Sequence, residues 1–133
     1  MGFLDLIFSN NTLNKVETKR KTDEEISNIY NNNLNFSDRI TGYQYHQDNL
    51  KYLYIEAGNK DNQYVTTNIV LKHEKTNKYD KNAIGVYYKN KLIGYISKYK
   101  NKEVLKYKVI YNVILRTYFY KDNYRAEIYF NYK

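Results

Sequence analysis

The stretch of sequence that decides the fold reads Asn77-Lys78-Tyr79-Asp80-Lys81-Asn82-Ala83-Ile84-Gly85-Val86-Tyr87 and, after three residues, Lys91-Leu92-Ile93-Gly94-Tyr95-Ile96. Its beginning is polar, and Asp80 and Asn82 favour an Asx turn, in which the side chain accepts a nearby backbone N–H. Two short apolar runs follow, which is typical of paired β-strands. Gly94 permits a close backbone approach or a bulge in the returning strand. The stretch therefore predicts a polar loop leading into a β-hairpin, with these apolar residues facing the interior: Ala83, Ile84, Val86, Ile93 and Ile96.

Further strands are predicted on both sides of this hairpin. Residues 39–45 and 64–73 are rich in β-branched and aromatic residues, and residues 109–120 and 124–132 form two long runs around Lys121-Asp122-Asn123. In the central hairpin, residues 83–89 and 92–96 flank Asn90-Lys91, a predicted two-residue turn. With two or three short helices, these five or six strands predict a mainly β domain. The expected architecture is a small OB-like or SH3-like β-barrel of mostly antiparallel strands.

Local signals also predict three short helices. Thr22 and Glu25 have the spacing of a capping box, and the apolar residues Ile26, Ile29 and Tyr30 that follow share one helical face. Two other residues, Asp48 and Ser97, are expected to cap helices at residues 48–58 and 97–105.

The N-terminal part of the chain is predicted to lie outside the domain. An apolar tag of residues 2–8 is followed by a polar, basic segment of residues 9–21 with no hydrophobic period, which we interpret as a linker. We place the tag, the linker and the first helix in residues 1–35 and the domain in residues 36–133. Residues 1–21 are therefore expected to contribute little to the core. The tag offers a surface for a protein partner or for self-association through its apolar residues: Phe3, Leu4, Ile7 and Phe8.

Composition narrows the possible functions. The net charge of +8 favours polyanionic partners, nucleic acid before anionic membrane, although a lysine-rich codon usage would give the same charge. There is no cysteine and only two histidines, so neither disulfides nor a zinc site are expected. No apolar run reaches the ~18–20 residues of a membrane span, so we expect a cytoplasmic protein without stable membrane insertion. Phosphate-binding loops, metalloprotease motifs and metal-spaced acidic clusters are also absent from the sequence, and we predict no enzyme activity and no cofactor.

The quoted stretch resembles the signature of HIRAN domains. That pattern has an upstream acid, here Glu74, then Asn-Pro-Tyr-Asp-x-Asn-Ala-Ile-x-Val, a hairpin, Ile-Gly-Tyr-Leu and a basic residue, here Lys98. Residues 40–46 are similar to the family's first strand, so the resemblance extends from about residue 39 to the C-terminus. It implies a β-barrel module that binds DNA, with single-stranded 3′ ends as the ligand.

The resemblance also implies roles for individual residues. Tyr79 would stack on a terminal base or sugar, and Asp80 would accept a hydrogen bond from the terminal 3′-hydroxyl. The basic-aromatic-aromatic run of the family's first strand falls on Gln44, Tyr45 and His46. Gln44 replaces an arginine and His46 an aromatic residue, so we expect weaker end discrimination than the family pattern implies.

Aromatic and basic residues alternate after the motif, as they do in proteins that bind single strands. From this part of the chain we predict further nucleic-acid contacts at these positions: Lys98, Tyr99, Lys100, Lys102 and Tyr124. An ordinary solvated helix face would explain residues 98–108 equally well. The alternative function is a protein-interaction module, such as a mobile-element accessory or host-interference protein, that acts through the barrel edge or the apolar tag.

Overall fold

The computed structural model describes residues 11–133, so the apolar tag and its predicted contacts lie outside the described residues. The chain order of the elements is α1 (Asp23–Asn31), β1 (Phe36–Arg39), a 3₁₀ helix (Tyr43–Tyr45), α2 (Gln47–Glu56), β2 (Gln63–Val65), β3 (Ile69–His73), β4 (Ile84–Tyr88), β5 (Lys91–Tyr95), α3 (Asn101–Val104), β6 (Ile110–Tyr120) and β7 (Asn123–Tyr132). The strands form two antiparallel sheets in the orders β1-β7-β6-β2 and β3-β4-β5. The predicted mainly β class is confirmed, with seven strands in the described chain.

The two sheets meet where the chain leaves β1. Thr41 forms an antiparallel bridge with Tyr95 of β5, while the N–H of Ile40 donates to the carbonyl of Ala126 in β7 at 3.0 Å. This crossing requires Gly94, because a Cβ there would lie 2.4 Å from Cγ2 of Ile40 and 2.5 Å from the Thr41 carbonyl oxygen. The predicted close approach is confirmed, and a register shift between β4 and β5 accompanies it.

The core lies between the two sheets and is closed by α2, which buries Leu50 and Leu53 completely. Strands β6 and β7 supply much of the rest, including Ile128 and Phe130. The predicted interior set is confirmed, since all five of its members are buried: Ala83, Ile84, Val86, Ile93 and Ile96.

The N-terminal segment is not a linker over residues 11–17. Thr12 bridges Lys72 of β3, and the N–H of Leu13 donates to the Leu71 carbonyl at 2.8 Å. The buried side chain of Asn14 accepts the N–H of Leu71 at 2.7 Å and donates to the Ile69 carbonyl at 3.0 Å. The prediction failed because the segment attaches through backbone and amide hydrogen bonds, which leave no hydrophobic period in the sequence.

Two predicted strands were wrong in extent. Residues 39–45 do not form one strand, because Gly42 adopts φ +73° and turns the chain into the 3₁₀ helix. Residues 64–73 are divided between β2 and β3, which belong to different sheets, and Asn68 at φ +60° lies in the break between them. A positive φ costs asparagine little free energy, so the chain changes sheets there although no glycine or proline in the sequence indicates a break.

Hairpins and caps were predicted more accurately. The capping box of Thr22 and Glu25 is present. Asp48 is not the N-cap of α2 but lies inside its first turn, and the N-cap of this helix is His46. The turn of the central hairpin is Lys89-Asn90, one residue earlier than predicted, and both residues have positive φ. The long C-terminal hairpin is confirmed, with Lys121-Asp122 as its turn.

Among the described residues, no helix is long and apolar enough to cross a membrane.

Candidate nucleic-acid interface

The loop before β4 is held rigid by its own side chains. Oδ1 of Asn77 accepts the N–H groups of Tyr79 at 2.9 Å and Asp80 at 3.1 Å. Oδ1 of Asp80 accepts the N–H of Asn82 at 2.9 Å, which confirms the predicted Asx turn. Two consecutive turns of this kind fix the backbone of residues 77–82, which we call the motif loop. The side chain of Tyr79 projects from it into solvent.

Glu74 lies beneath the motif loop and connects it to the hairpin. Its Oε1 accepts the Tyr95 hydroxyl at 3.0 Å and Nδ2 of Asn77 at 3.1 Å, and its Oε2 accepts the Tyr87 hydroxyl at 2.6 Å. Gly85 leaves the space for this carboxylate, because a Cβ there would lie 2.6 Å from Oε2. Burial, reinforced by the hydrogen bond to Glu74, raises the pKa of Tyr95 to about 12. The phenol therefore remains a donor at neutral pH.

Asp80 connects the motif loop to α3. Its Oδ2 accepts a hydrogen bond of 2.8 Å from Nδ2 of Asn101, which is buried. The N–H of Asn82 and then this amide hold the pKa of Asp80 below its usual value, with smaller contributions from Lys102 and Lys98. Asp80 is therefore an ionised acceptor at neutral pH, and each of its oxygens retains capacity for a further donor.

A turn at residues 43–46 forms the third side of this surface. The side chain of Tyr45 is exposed, and the ring of His46 lies 6.3 Å from that of Tyr95. Burial lowers the pKa of His46, an effect that Glu74 partly offsets. Residues 44–49 line a shallow depression of about 370 Å³.

Three segments are thus joined by one chain of contacts that runs from His46 through Tyr95, Glu74, the motif loop and Asp80 to α3. We call this arrangement the tyrosine site, and its three linked segments carry most of the predicted site residues: Gln44, Tyr45, His46, Tyr79, Asp80, Lys98, Tyr99 and Lys102.

The other two predicted residues have contacts within the domain. Nζ of Lys100 donates to the Ser37 carbonyl at 2.7 Å and lies 3.8 Å from Oδ1 of Asp38, so it ties α3 to β1. The ring of Tyr124 packs edge-on against Tyr54 and Phe119. These contacts indicate packing roles for both residues.

Sequence reasoning missed the polar residues that support the tyrosine site by donating hydrogen bonds to Glu74 or Asp80: Asn77, Tyr87, Tyr95 and Asn101. It noted Glu74 only as the upstream acid of the motif. The available signal was an acid followed by one tyrosine in each strand of the predicted hairpin, since a half-buried carboxylate requires donors.

Two other features of the described residues are relevant. The cavity of about 620 Å³ between α1 and the β2–β3 connection does not include the tyrosine site. Across residues 11–133, no group of three or more His, Cys, Asp or Glu side chains is placed to hold a metal ion.

Comparison with known proteins gives one match. A family model described as the HIRAN domain matches residues 33–120. Searches of curated proteins and of solved structures found no match. The matched range includes all three segments of the tyrosine site and ends at the last residue of β6.

Proposed function

The chain belongs to the HIRAN domain family, a family of DNA-binding modules, and we propose that it binds single-stranded DNA, 3′ ends in particular, at the tyrosine site. The observation that carries this proposal is that three almost fully exposed tyrosine rings lie on segments that one network of contacts joins to the ionised Asp80. The proposed activity is binding without catalysis, because the site offers stacking surfaces, an acceptor and cations but no nucleophile–base pair.

The three rings are exceptional on the described surface. Tyr45, Tyr79 and Tyr99 are 86%, 97% and 90% exposed, whereas no other large hydrophobic side chain of the described part of the chain exceeds 54%. None of the three has an aromatic or cationic partner among residues 11–133. Exposed apolar rings cost free energy in water, and stacking on a nucleic-acid base recovers ~1–3 kcal/mol per base. Since all three rings are on segments joined by one network, we infer that they stack on neighbouring nucleotides.

Asp80 supplies the proposed preference for a free 3′ end. An ionised carboxylate accepts a hydrogen bond from a hydroxyl and repels a phosphate of the same charge. Asn82 and Asn101 already hold its orientation, so no side-chain entropy is lost when the hydroxyl binds. This preorganisation supports Asp80 as the group that distinguishes the two kinds of end.

Lys98 and Lys102 provide cations for the phosphates. Both are exposed, and both are close enough to Asp80 to lower its pKa. Gln44 is also exposed, but it carries no charge where the family pattern has arginine. The site therefore has one fewer phosphate contact than that pattern implies, and we expect low-micromolar or weaker affinity.

The test is a titration of labelled single-stranded oligonucleotides, with a free 3′-hydroxyl or a 3′-phosphate, followed by fluorescence anisotropy. The wild type is expected to prefer the hydroxyl end by on the order of tenfold, because two like charges ~4 Å apart at a partly exposed site repel by at least ~1 kcal/mol. Asp80→Asn should bring the two affinities close together. This variant retains an acceptor for the Asn82 N–H, so the motif loop keeps its turn.

Two results would count against the proposal. If no single-stranded oligonucleotide binds at ~50 mM salt, where phosphate contacts are strong, the protein-interaction alternative replaces it. If the wild type binds both ends equally, 3′-end recognition is wrong and general single-strand binding remains.

A further inference from the structure

The arginines of this chain are concentrated on one surface. Only four of its 22 Lys and Arg residues are arginines. Three of them, Arg39, Arg116 and Arg125, are in strands β1, β6 and β7 of the four-stranded sheet. Arginine, unlike lysine, presents a planar fork of donors that matches a phosphate. A lysine-rich codon usage explains the lysines but not this grouping.

Strand register puts the three arginines on the same face of the sheet. Arg39 and Arg116 are both paired with Glu127, and Arg125 is paired with Tyr118. Directly paired residues point to the same side, and here their neighbours along each strand, such as Ile128 and Ala126, are buried. The arginines therefore lie on the outer face, and we call Arg39, Arg116 and Arg125 the arginine face. Arg39 and Arg125 are diagonal neighbours, with Cα atoms ~7–8 Å apart.

Aromatic rings hold two of the guanidinium groups in place. Arg116 lies over the ring of Tyr118 at 4.6 Å, and Arg125 lies over Tyr43 at 4.3 Å and Tyr120 at 5.4 Å. Such cation–π contacts fix a long side chain without consuming all of its N–H donors. Each of these rings packs against a cation and is less exposed than Tyr79, so less of it is open to a base.

The donors of the three arginines are used to different extents. Arg116 is committed within the protein, since its terminal nitrogens bond Asn62 and Glu127. Nε of Arg125 donates a hydrogen bond to the Tyr120 carbonyl at 3.0 Å, so the two terminal NH₂ groups of Arg125 can donate to a ligand. Within residues 11–133, the Arg39 guanidinium forms no hydrogen bond or ion pair, and it is exposed. Because Arg116 neutralises Glu127, two positive charges remain for a ligand.

The arginine face adjoins the tyrosine site. Arg125 covers Tyr43, which belongs to the same turn as Gln44, Tyr45 and His46. A single strand that leaves the tyrosine site over this turn therefore reaches Arg125 first and Arg39 next.

We propose that Arg39 and Arg125 bind phosphates of the single strand beyond the nucleotides held at the tyrosine site. This inference rests on the proposed function and lengthens its binding path. Contact at the arginine face is independent of base sequence, because the rings there hold cations and only phosphates meet the guanidinium groups.

The experiment compares two oligonucleotide lengths. A strand of ~4 nucleotides fills the tyrosine site alone, whereas one of ~16 nucleotides also reaches the arginine face. The test variant is Arg39→Gln/Arg125→Gln, and Lys15→Gln/Lys19→Gln removes the same charge from the exposed segment beside β3. Arg39→Gln alone is included because its side chain holds nothing else in place.

The double arginine variant should bind the long strand at least about tenfold more weakly. The fall of log K with log salt should become less steep by about 1.4, or ~0.7 per lost phosphate contact. Its affinity for the short strand should change no more than in the lysine control. Arg39→Gln should give about half of the change in slope.

The possible outcomes separate this inference from the proposed function. If Tyr79→Ala weakens binding but the double arginine variant behaves like the lysine control, the arginine face is overturned and the tyrosine site stands. If the double arginine variant weakens binding and Tyr79→Ala does not, the tyrosine site is wrong, and so is the proposed path that continues from it to the arginine face. Absence of binding by the wild type to both strands overturns both.

Discussion

The motif that decides this fold has two parts with opposite properties. Strands β4 and β5 bury their apolar side chains completely at Ile84, Val86 and Ile93, whereas the motif loop exposes Tyr79 almost completely. Both parts are held by hydrogen bonds: the strands by their backbone ladder, and the loop by the side chains of Asn77, Asp80 and Glu74. Rigidity without burial is what a binding loop requires, because the ligand then meets a preformed surface. Stability and binding should therefore respond separately to substitutions in the two parts.

The largest effect is expected from Gly94→Ala in the strand part. The substitution combines backbone strain at φ +149° with a clash against the Thr41 carbonyl, and together these should lower the free energy of unfolding by about 3 kcal/mol or more. Urea unfolding measures this. Gly58→Ala is the matched control, because Gly58 also has positive φ but its added Cβ meets only the flexible side chain of Gln63. Equal losses in the two variants would mean that the sheet crossing is not tightly packed.

Tyr79→Ala should have the opposite profile. Loss of one stacking ring should weaken single-strand binding by ~1–3 kcal/mol, or about five- to hundredfold. Since Tyr79 contacts little of the protein, the free energy of unfolding should change by less than about 0.5 kcal/mol. Anisotropy and urea unfolding on the same preparation check both values. Tyr111→Ala, in β6 and beneath Lys133, is the control and should not affect binding; a stability loss in Tyr79→Ala would show that the loop and the strands are not separable.

Asn14→Ala tests whether residues 11–17, which lie outside the range that matches the family, contribute to the stability of the domain. The substitution leaves the buried Leu71 N–H and Ile69 carbonyl without their amide partner, which should cost about 1–2 kcal/mol of stability. DNA binding should not change. Lys15→Ala, at the adjacent exposed position, should be neutral within about 0.5 kcal/mol. If Asn14→Ala is equally neutral, residues 11–17 do not contribute to the stability of the domain, as the linker interpretation predicts.

The smallest effect concerns pH and the loop part. The hydrogen bonds from Asn82 and Asn101 lower the pKa of Asp80 in the folded state. Its stabilising contribution is therefore fully present above the ordinary aspartate value, about pH 4, and is lost as the pH falls through the lower folded value. Urea unfolding at several pH values should show wild type and Asp80→Asn converging at acid pH and separating towards neutrality. Parallel curves would mean that the two hydrogen bonds do not favour the ionised form.

How far the fold was predictable depends on the kind of contact. The motif hairpin, the capping box at Thr22 and the C-terminal hairpin follow from neighbouring residues, and all three were predicted. The passage of the chain between sheets at Gly42 and Asn68 was missed, because one positive φ in a β-rich run leaves the residue pattern unchanged. The pairing of Asn14 with β3 was also missed, since that contact spans more than fifty residues.

By itself, the sequence determined the class of the protein and the identity of its exposed loop. The two short apolar runs after Asn82 predict a β-hairpin, and the Asx residues before them predict a turn, because both patterns act over a few residues. Only the tertiary structure decided which of the 18 tyrosines are open to a ligand. Tyr45, Tyr79 and Tyr99 are exposed while Tyr43, Tyr118 and Tyr120 hold arginines. The residue type is the same in both groups. Arg116 and Arg125 cover Tyr118 and Tyr120 within the β6–β7 hairpin, whereas Arg125 covers Tyr43 only because the fold places β7 beside the 3₁₀ helix.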